Sequence, residues 1–250
     1  MINIRKTRIN KLINNLVKNY NISISNEEID RIKEFYYNDE RPFSEILKEV
    51  TKQAEDIKII KDLAQKNINE EILKNSILLI GPMGAGKSML SDKISYETGM
   101  PKAALDDRNA FAELYSQEKN FYNFKYFEAY LTSSVLTGMN KPMIIDFGAG
   151  HSVYDQPLIR GYMKSLISKF STVIYVLPSR NKEESLEILS TRIKNRDIIP
   201  EGANEYFLSS GLNEEMATNI IYGEDFNQDP DKMVSEIINI ANENKKRKVK

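Results

Sequence analysis

The 250-residue sequence predicts an α/β protein, a parallel sheet with helices on both faces, preceded by a small all-helical module. Three observations carry that expectation. Short apolar runs alternate with helical stretches from about residue 75 onward, the pattern of a buried parallel sheet. Before that point there is no glycine and no strand-like run, and apolar residues recur at helical spacing. Between one apolar run and one helical stretch stands the turn Gly81-Pro82-Met83-Gly84-Ala85-Gly86-Lys87-Ser88.

The helical module is expected over residues 1–73. Ile9, Leu12, Ile13, Leu16 and Val17 make one apolar stripe. Ser25-x-x-Glu28 has the form of a capping box and opens a helix carrying Ile29, Ile32, Phe35 and Tyr36. Arg41-Pro42 restarts the chain, since proline suits a first helical turn. The next helix places Phe43, Ile46, Leu47, Val50, Ala54, Ile57, Ile60 and Leu63 on one face. Such a stripe must be covered, by the rest of the chain, by a second copy or by a protein partner.

The sheet domain is expected over residues 74–243, with a basic tail at 244–250. Strands are read at Ser76–Ile80, Lys102–Leu105, Pro142–Asp146 and Thr172–Leu177. Helices are read near Met89–Glu97, Ala110–Tyr115, Tyr122–Thr137, Pro157–Lys169, Lys182–Lys194, Asn213–Ile221 and Asp231–Glu243. Ligands of such sheets sit beyond the carboxyl ends of the strands. That rule gathers Gly81–Ser88, Asp106–Asp107, Asp146–Gly150 and Pro178–Arg180 along one edge.

Gly81–Ser88 is a complete Gly-x-x-x-x-Gly-Lys-Ser loop in its proper context, with a strand before it and a helix after it. Glycines let consecutive main-chain N–H groups converge on a phosphate chain, aided by the positive end of the next helix. Gly81, Met83, Gly84, Ala85, Gly86, Lys87, Ser88 and Met89 are therefore the expected nucleotide contacts. Lys87 reaches the outer phosphates and the Ser88 hydroxyl holds Mg²⁺. A nucleoside triphosphate and Mg²⁺ are the expected ligands of this loop.

Other residues extend the site. Asp146 ends an apolar strand, the expected form of a carboxylate that holds Mg²⁺ beside such a loop; the lesser alternative is a cap on the following turn. Gly148-Ala149-Gly150 allows close main-chain approach to a ligand, and His151 follows as a lesser candidate. Asp107 could accept the proton of an attacking hydroxyl, or stand as an acid at a helix N-terminus. Arg192 and Arg196 lie four residues apart on one helical face, aimed at phosphates or solvated. Pro178-Ser179-Arg180 and Asn227 are positional candidates for the nucleobase side.

From residue 75 to 242 the chain resembles shikimate kinase and its small P-loop kinase relatives. The strand and loop Leu79–Ser88 carry the resemblance most specifically. Where the family has Asp-x-Asp, this chain has Leu105-Asp106-Asp107, so the hydroxyl-binding aspartate falls on Asp107 and the metal-associated one on Leu105. Phe124-Lys125-Tyr126-Phe127-Glu128 resembles the Phe-Arg-x-x-Glu segment, with Lys125 in place of the carboxylate-binding arginine. Gly148-Ala149-Gly150 stands at the triple-glycine turn, and Arg192 and Arg196 stand near the lid arginines. Ala217–Tyr222 through Asp229–Met233 is similar to the closing helix–strand–helix segment. The resemblance implies a P-loop kinase fold and an ATP donor site, with Lys87, Asp107, Arg192 and Arg196 as catalytic residues. Lys125, Gly148, Ala149 and Gly150 would join Asp107 on the acceptor. Lysine cannot reproduce arginine's flat two-pronged grip on a carboxylate, so shikimate as acceptor does not follow.

Composition narrows the partners. With 35 basic and 36 acidic side chains the formal net charge is −1, which makes nucleic acid an unexpected partner. No cysteine is present and one histidine, which excludes disulfides and thiol chemistry. No apolar run approaches the roughly 20 residues that span a bilayer, and a cytoplasmic location is expected. Three readings stand side by side. One is a Mg²⁺- and ATP-dependent phosphotransferase acting on a small hydroxylated acceptor. A second is a zeta-type toxin or defence kinase with a helical regulatory domain, and a third is a nucleotide-dependent regulator without transfer activity.

Overall fold

The computed structural model describes residues 2–22, 24–65, 68–105, 121–194 and 202–247. Its helices are α1 (Ile2–Asn19), α2 (Asn26–Tyr37), α3 (Phe43–Gln65), α4 (Glu70–Asn75), α5 (Lys87–Thr98), α6 (Phe124–Gly138), α7 (Pro157–Ile167), α8 (Lys182–Ile193), α9 (Ala203–Ser209), α10 (Leu212–Met216) and α11 (Pro230–Arg247). Its strands are β1 (Ile77–Ile80), β2 (Lys102–Ala104), β3 (Ile144–Asp146), β4 (Thr172–Leu177) and β5 (Asn219–Tyr222). The expected helix at Ala110–Tyr115 lies outside the described residues.

Two compact units divide the described residues. One draws on Met1–Ile68, Asn109–Gly138 and Tyr154–Leu166; the other draws on Asn69–Arg108, Met139–Val153 and Ile167–Lys250. Neither unit is continuous in sequence.

In the helical unit, Ser25 caps α2 by accepting the Glu28 N–H at 3.2 Å. The Glu28 side chain turns away from the box and pairs with Arg31 at 3.1 Å and Lys164 at 3.5 Å. The Pro42 carbonyl accepts the N–H groups of Glu45 and Ile46, setting the first turn of α3. Ile46, Val50, Ala54, Ile57 and Ile60 are fully buried along α3, and α3 packs along α6. Two residues expected on apolar faces lie outside them. Leu47 is 42% exposed, because it stands one residue, about 100°, round from the Ile46–Val50 row. Phe35 is half exposed beside Tyr36, whose ring it meets edge-on at 5.0 Å. The Leu63 side chain lies outside the described residues.

In the other unit, five parallel strands run in the order β2-β3-β1-β4-β5. The α/β class and the parallel sheet stand as the sequence predicts. All four residues of β1 and all six of β4 are buried, which is why these strands read as continuous apolar runs rather than alternating ones. Each buried Val, Leu or Ile among them contributes about 1.5–3 kcal/mol through burial. Within the unit, α5 packs on β1, β2 and β3, and α11 packs on α5 and β4.

The stretch Asn213–Ile221, expected as a helix, divides into α10 and β5. Thr218 makes the break: its N–H donates to the Val173 carbonyl at 2.9 Å, and its hydroxyl takes the Val173 N–H at 2.9 Å. Ile220 and Ile221 then pair with Tyr175 and Val176 of β4. Their β-branched side chains suit that half-covered surface better than a helix.

Candidate functional site

The phosphate loop leaves β1 at Gly81 and enters α5 at Lys87. Gly81 has φ +142°, and a Cβ there would fall 2.7 Å from the Val176 carbonyl oxygen of β4. Only glycine permits that close approach between loop and sheet. Gly84 has φ +83°, and a Cβ there would fall 2.8 Å from Cγ2 of Ile193, so the loop lies tight against α8. Gly86 precedes α5 without offering it any side-chain cap, which leaves the first N–H groups of the helix directed at the loop's mouth.

Lys87 is 8% exposed, and its ammonium folds back to donate to the Gly81 carbonyl at 2.9 Å and the Pro82 carbonyl at 3.1 Å. Ala85 is buried, whereas Ser88 and Met89 are exposed on the first turn of α5. Asp146 is 1% exposed at the end of β3, in register with Leu79 of β1. The Phe147 N–H donates to the Leu79 carbonyl at 3.0 Å, so β3 and the strand leading into the phosphate loop end together.

Gly148-Ala149-Gly150 forms tight turns, with His151 N–H donating to Gly148 O at 2.9 Å and Val153 N–H to Gly150 O at 3.1 Å. His151 is 3% exposed. A Cβ on Gly148 would lie 2.7 Å from its Nδ1, and its ring stands 6.1 Å from that of Phe147. This places His151 in packing rather than at an open edge. Ser152 Oγ donates to Asn213 Oδ1 at 2.6 Å, both residues fully buried.

Arg192, near the end of α8, reaches the phosphate loop. Its guanidinium donates to the Gly84 carbonyl at 3.3 Å and to Gln228 Oε1 at 3.0 Å. Partial loss of water pulls its pKa below the usual guanidinium value. Gln228 in turn donates from Nε2 to the Pro178 carbonyl at 3.0 Å, and its N–H donates to the Gly223 carbonyl at 2.8 Å.

The loops after β4 and β5 are interlocked. Glu224 accepts the Arg180 N–H at 2.8 Å and lies 2.8 Å from the Ser179 hydroxyl. The Arg180 guanidinium grips both carboxylate oxygens of Asp225 and lies 4.4 Å over the Tyr222 ring. Bonds from the Arg180 main chain and Ser179 hold the Glu224 carboxyl below its usual pKa, and Arg180 does the same for Asp225. Asn227 sits in this lock in a left-handed conformation, φ +53°.

One compact unit thus brings together the phosphate loop, Asp146, Gly148–Gly150, Arg192, Pro178–Arg180 and Asn227. Lys125 belongs to the other unit, where it pairs with Glu128 at 2.7 Å and lies 5.5 Å over the Tyr154 ring. Asp107 and Arg196 lie outside the described residues. Sequence reading missed Asn204, whose carboxamide bonds the Met83 main chain, and also Gln228 and Glu224. Polar residues without a motif gave no signal for any of the three. Among the described residues no group of three or more His, Asp or Glu could enclose a metal. Mg²⁺ at such loops takes one or two protein oxygens, the rest coming from water and phosphate. Ser88 and Asp146 are of that kind.

Fold and site together define a phosphate-loop α/β protein. No protein-family model matches the chain, and no curated protein matches it. Among solved structures, it is similar to the shikimate kinase from Acinetobacter baumannii in complex with shikimate. That likeness covers 68% of this chain and 98% of the other, at 20% identity and a TM-score of 0.43. No described helix is long and apolar enough to cross a membrane.

Proposed function

We propose that this protein is a Mg²⁺-dependent phosphotransferase that moves the γ-phosphoryl group of ATP to a hydroxyl of a small acceptor. One observation carries the reading: Lys87 and Arg192 both bring their cationic ends to main-chain carbonyls of one glycine-built loop, at Gly81 and Gly84. Ser88 and Asp146 would hold the Mg²⁺, which neutralises phosphate charge when bound. In the transfer, the acceptor oxygen forms a bond to the γ-phosphorus, and the bond from that phosphorus to the β–γ bridging oxygen breaks, releasing ADP. The acceptor's proton passes to a carboxylate, the role proposed for Asp107. Lys87 and Arg192 offset the charge on the moving group.

The test is ATP turnover by the purified full chain against a broad panel of hydroxylated metabolites. Acceptor-dependent ADP release, lost in Asp107→Asn, is the expected result. Failure of calorimetry to detect any nucleoside triphosphate binding with magnesium would remove the reading altogether. Tight binding accompanied by no transfer to any acceptor would favour the regulator reading.

A further inference from the structure

The segment Ala203–Met216, comprising α9 and α10, is fastened to the phosphate loop by one side chain. Asn204 Oδ1 accepts the Met83 N–H at 2.9 Å, and Asn204 Nδ2 donates to the Met83 carbonyl at 3.0 Å. The two residues are 121 positions apart in sequence. Asn204 is 5% exposed, and both bonds are partly buried. Around them, Ala149, Val153, Phe207 and Leu212 form an apolar cluster, with Met83 and Ala203 packed against it. Asn213 adds a second polar tie, accepting from Ser152 in the turn after Gly148–Gly150.

A carboxamide that satisfies both the donor and the acceptor of one residue fixes the direction of its peptide planes. Met83 is the third residue of the phosphate loop, and the next main-chain N–H groups belong to Gly84, Ala85 and Gly86. Turning the Met83 plane would re-aim them. A loop held in its binding shape before the ligand arrives gives up less entropy on binding. Conversely, a ligand that needs that shape stabilises whatever else depends on it.

We propose that Asn204 is a positioning residue for nucleotide binding, and that through it the α9–α10 segment senses whether the phosphate loop is filled. The inference rests on the nucleotide-binding reading above. It adds a residue and a coupling that the loop motif does not contain. Asn204 touches no phosphate; it acts through the Met83 main chain.

The experiment uses the full chain, magnesium and a non-hydrolysable ATP analogue. Calorimetry on the wild type comes first: no binding there defeats the nucleotide reading itself, and with it this inference. Given wild-type binding, Asn204→Leu keeps the side chain's bulk but removes both bonds, and is expected to weaken affinity about tenfold or more. Asn204→Asp keeps the acceptor for the Met83 N–H but faces the Met83 carbonyl with a carboxylate, and is expected to fall between the two. Equal affinities in wild type and a folded Asn204→Leu overturn the proposal.

Hydrogen exchange on the wild type supplies a readout that needs no variant. The Tyr206 and Ser210 N–H groups donate to Gly202 and Tyr206 carbonyls within and beside α9. The analogue is expected to slow their exchange about fivefold or more, and this slowing is expected to shrink in Asn204→Asp. Binding that leaves α9 exchange unchanged in the wild type overturns the coupling, including the case in which Asn204→Leu does not fold.

Discussion

The Lys87 ammonium donates to the Gly81 carbonyl 2.9 Å away, at the far end of the loop that Lys87 closes. The lysine therefore braces its own loop as well as offering a charge to a ligand. Lys87→Met keeps the aliphatic stem and deletes both tasks. Affinity for a magnesium–nucleoside triphosphate is expected to drop roughly 10- to 100-fold, the scale of a lost charge-assisted contact. Titration calorimetry measures it.

Gly223 and Gln228 offer a test at a distance. A Cβ on Gly223 would overlap the carboxamide of Gln228, the group that holds Arg192 beside Gly84. Because that carboxamide is the end of a flexible side chain, Gly223→Ala displaces it rather than breaking the backbone. Gly223→Ala and Gln228→Leu are expected to cause similar losses in ATP affinity. The double variant should be no worse than either alone, since both act on one link. Additive losses would show that Gly223 does not work through Gln228.

Two glycines in left-handed conformations separate strain from crowding. Gly84 has φ +83° and would crowd Ile193 with a Cβ, whereas Gly99, at φ +70°, has nothing within 4 Å. Gly99→Ala is expected to cost about 1 kcal/mol from conformation alone. Gly84→Ala should cost more, roughly 2–4 kcal/mol, by adding displacement of α8. Thermal unfolding of the two variants side by side gives the comparison.

Acid should loosen the lock between the β4 and β5 loops. The folded state holds the Glu224 carboxyl below its usual value of 4.5, first through the Arg180 N–H and then through Ser179. A carboxyl with a depressed folded pKa adds stability above its unfolded pKa and loses it as pH falls through the folded one. The difference in melting temperature between wild type and Glu224→Gln is therefore expected to be constant near neutrality and to shrink below about pH 4.5. A gap that persists unchanged at pH 3 would mean that the charge on Glu224 is not what stabilises the lock.

Local chemistry made much of this fold readable. Ile77–Ile80 and Thr172–Leu177 are buried on both faces, so their apolar runs needed no partner to be recognised. Ser25 and Pro42 mark helix starts through bonds made within four residues. The phosphate loop was legible because its geometry is written in glycines. Arg192 was found by its helical spacing, but its partner Gln228 was not, since 36 residues separate them. Asn204 was invisible for the same reason: its value lies in meeting Met83. The split of Asn213–Ile221 escaped because Thr218 breaks the helix by bonding to β4, a tertiary event that overrides local preference.

The helical unit takes its members from three separated stretches of chain, and α6, from the middle of the sequence, lies along α3. A chain cut at residue 73 would consequently lose α1, α2 and α3 while keeping a helix that packs along α3. Tyr126, now fully buried with Tyr36, Glu49 and Asp56 as neighbours, would lose that cover, inviting aggregation. Dissecting the role of the N-terminal third therefore calls for point changes on its outer surface, such as Phe35→Ser or Leu47→Ser, in place of truncation.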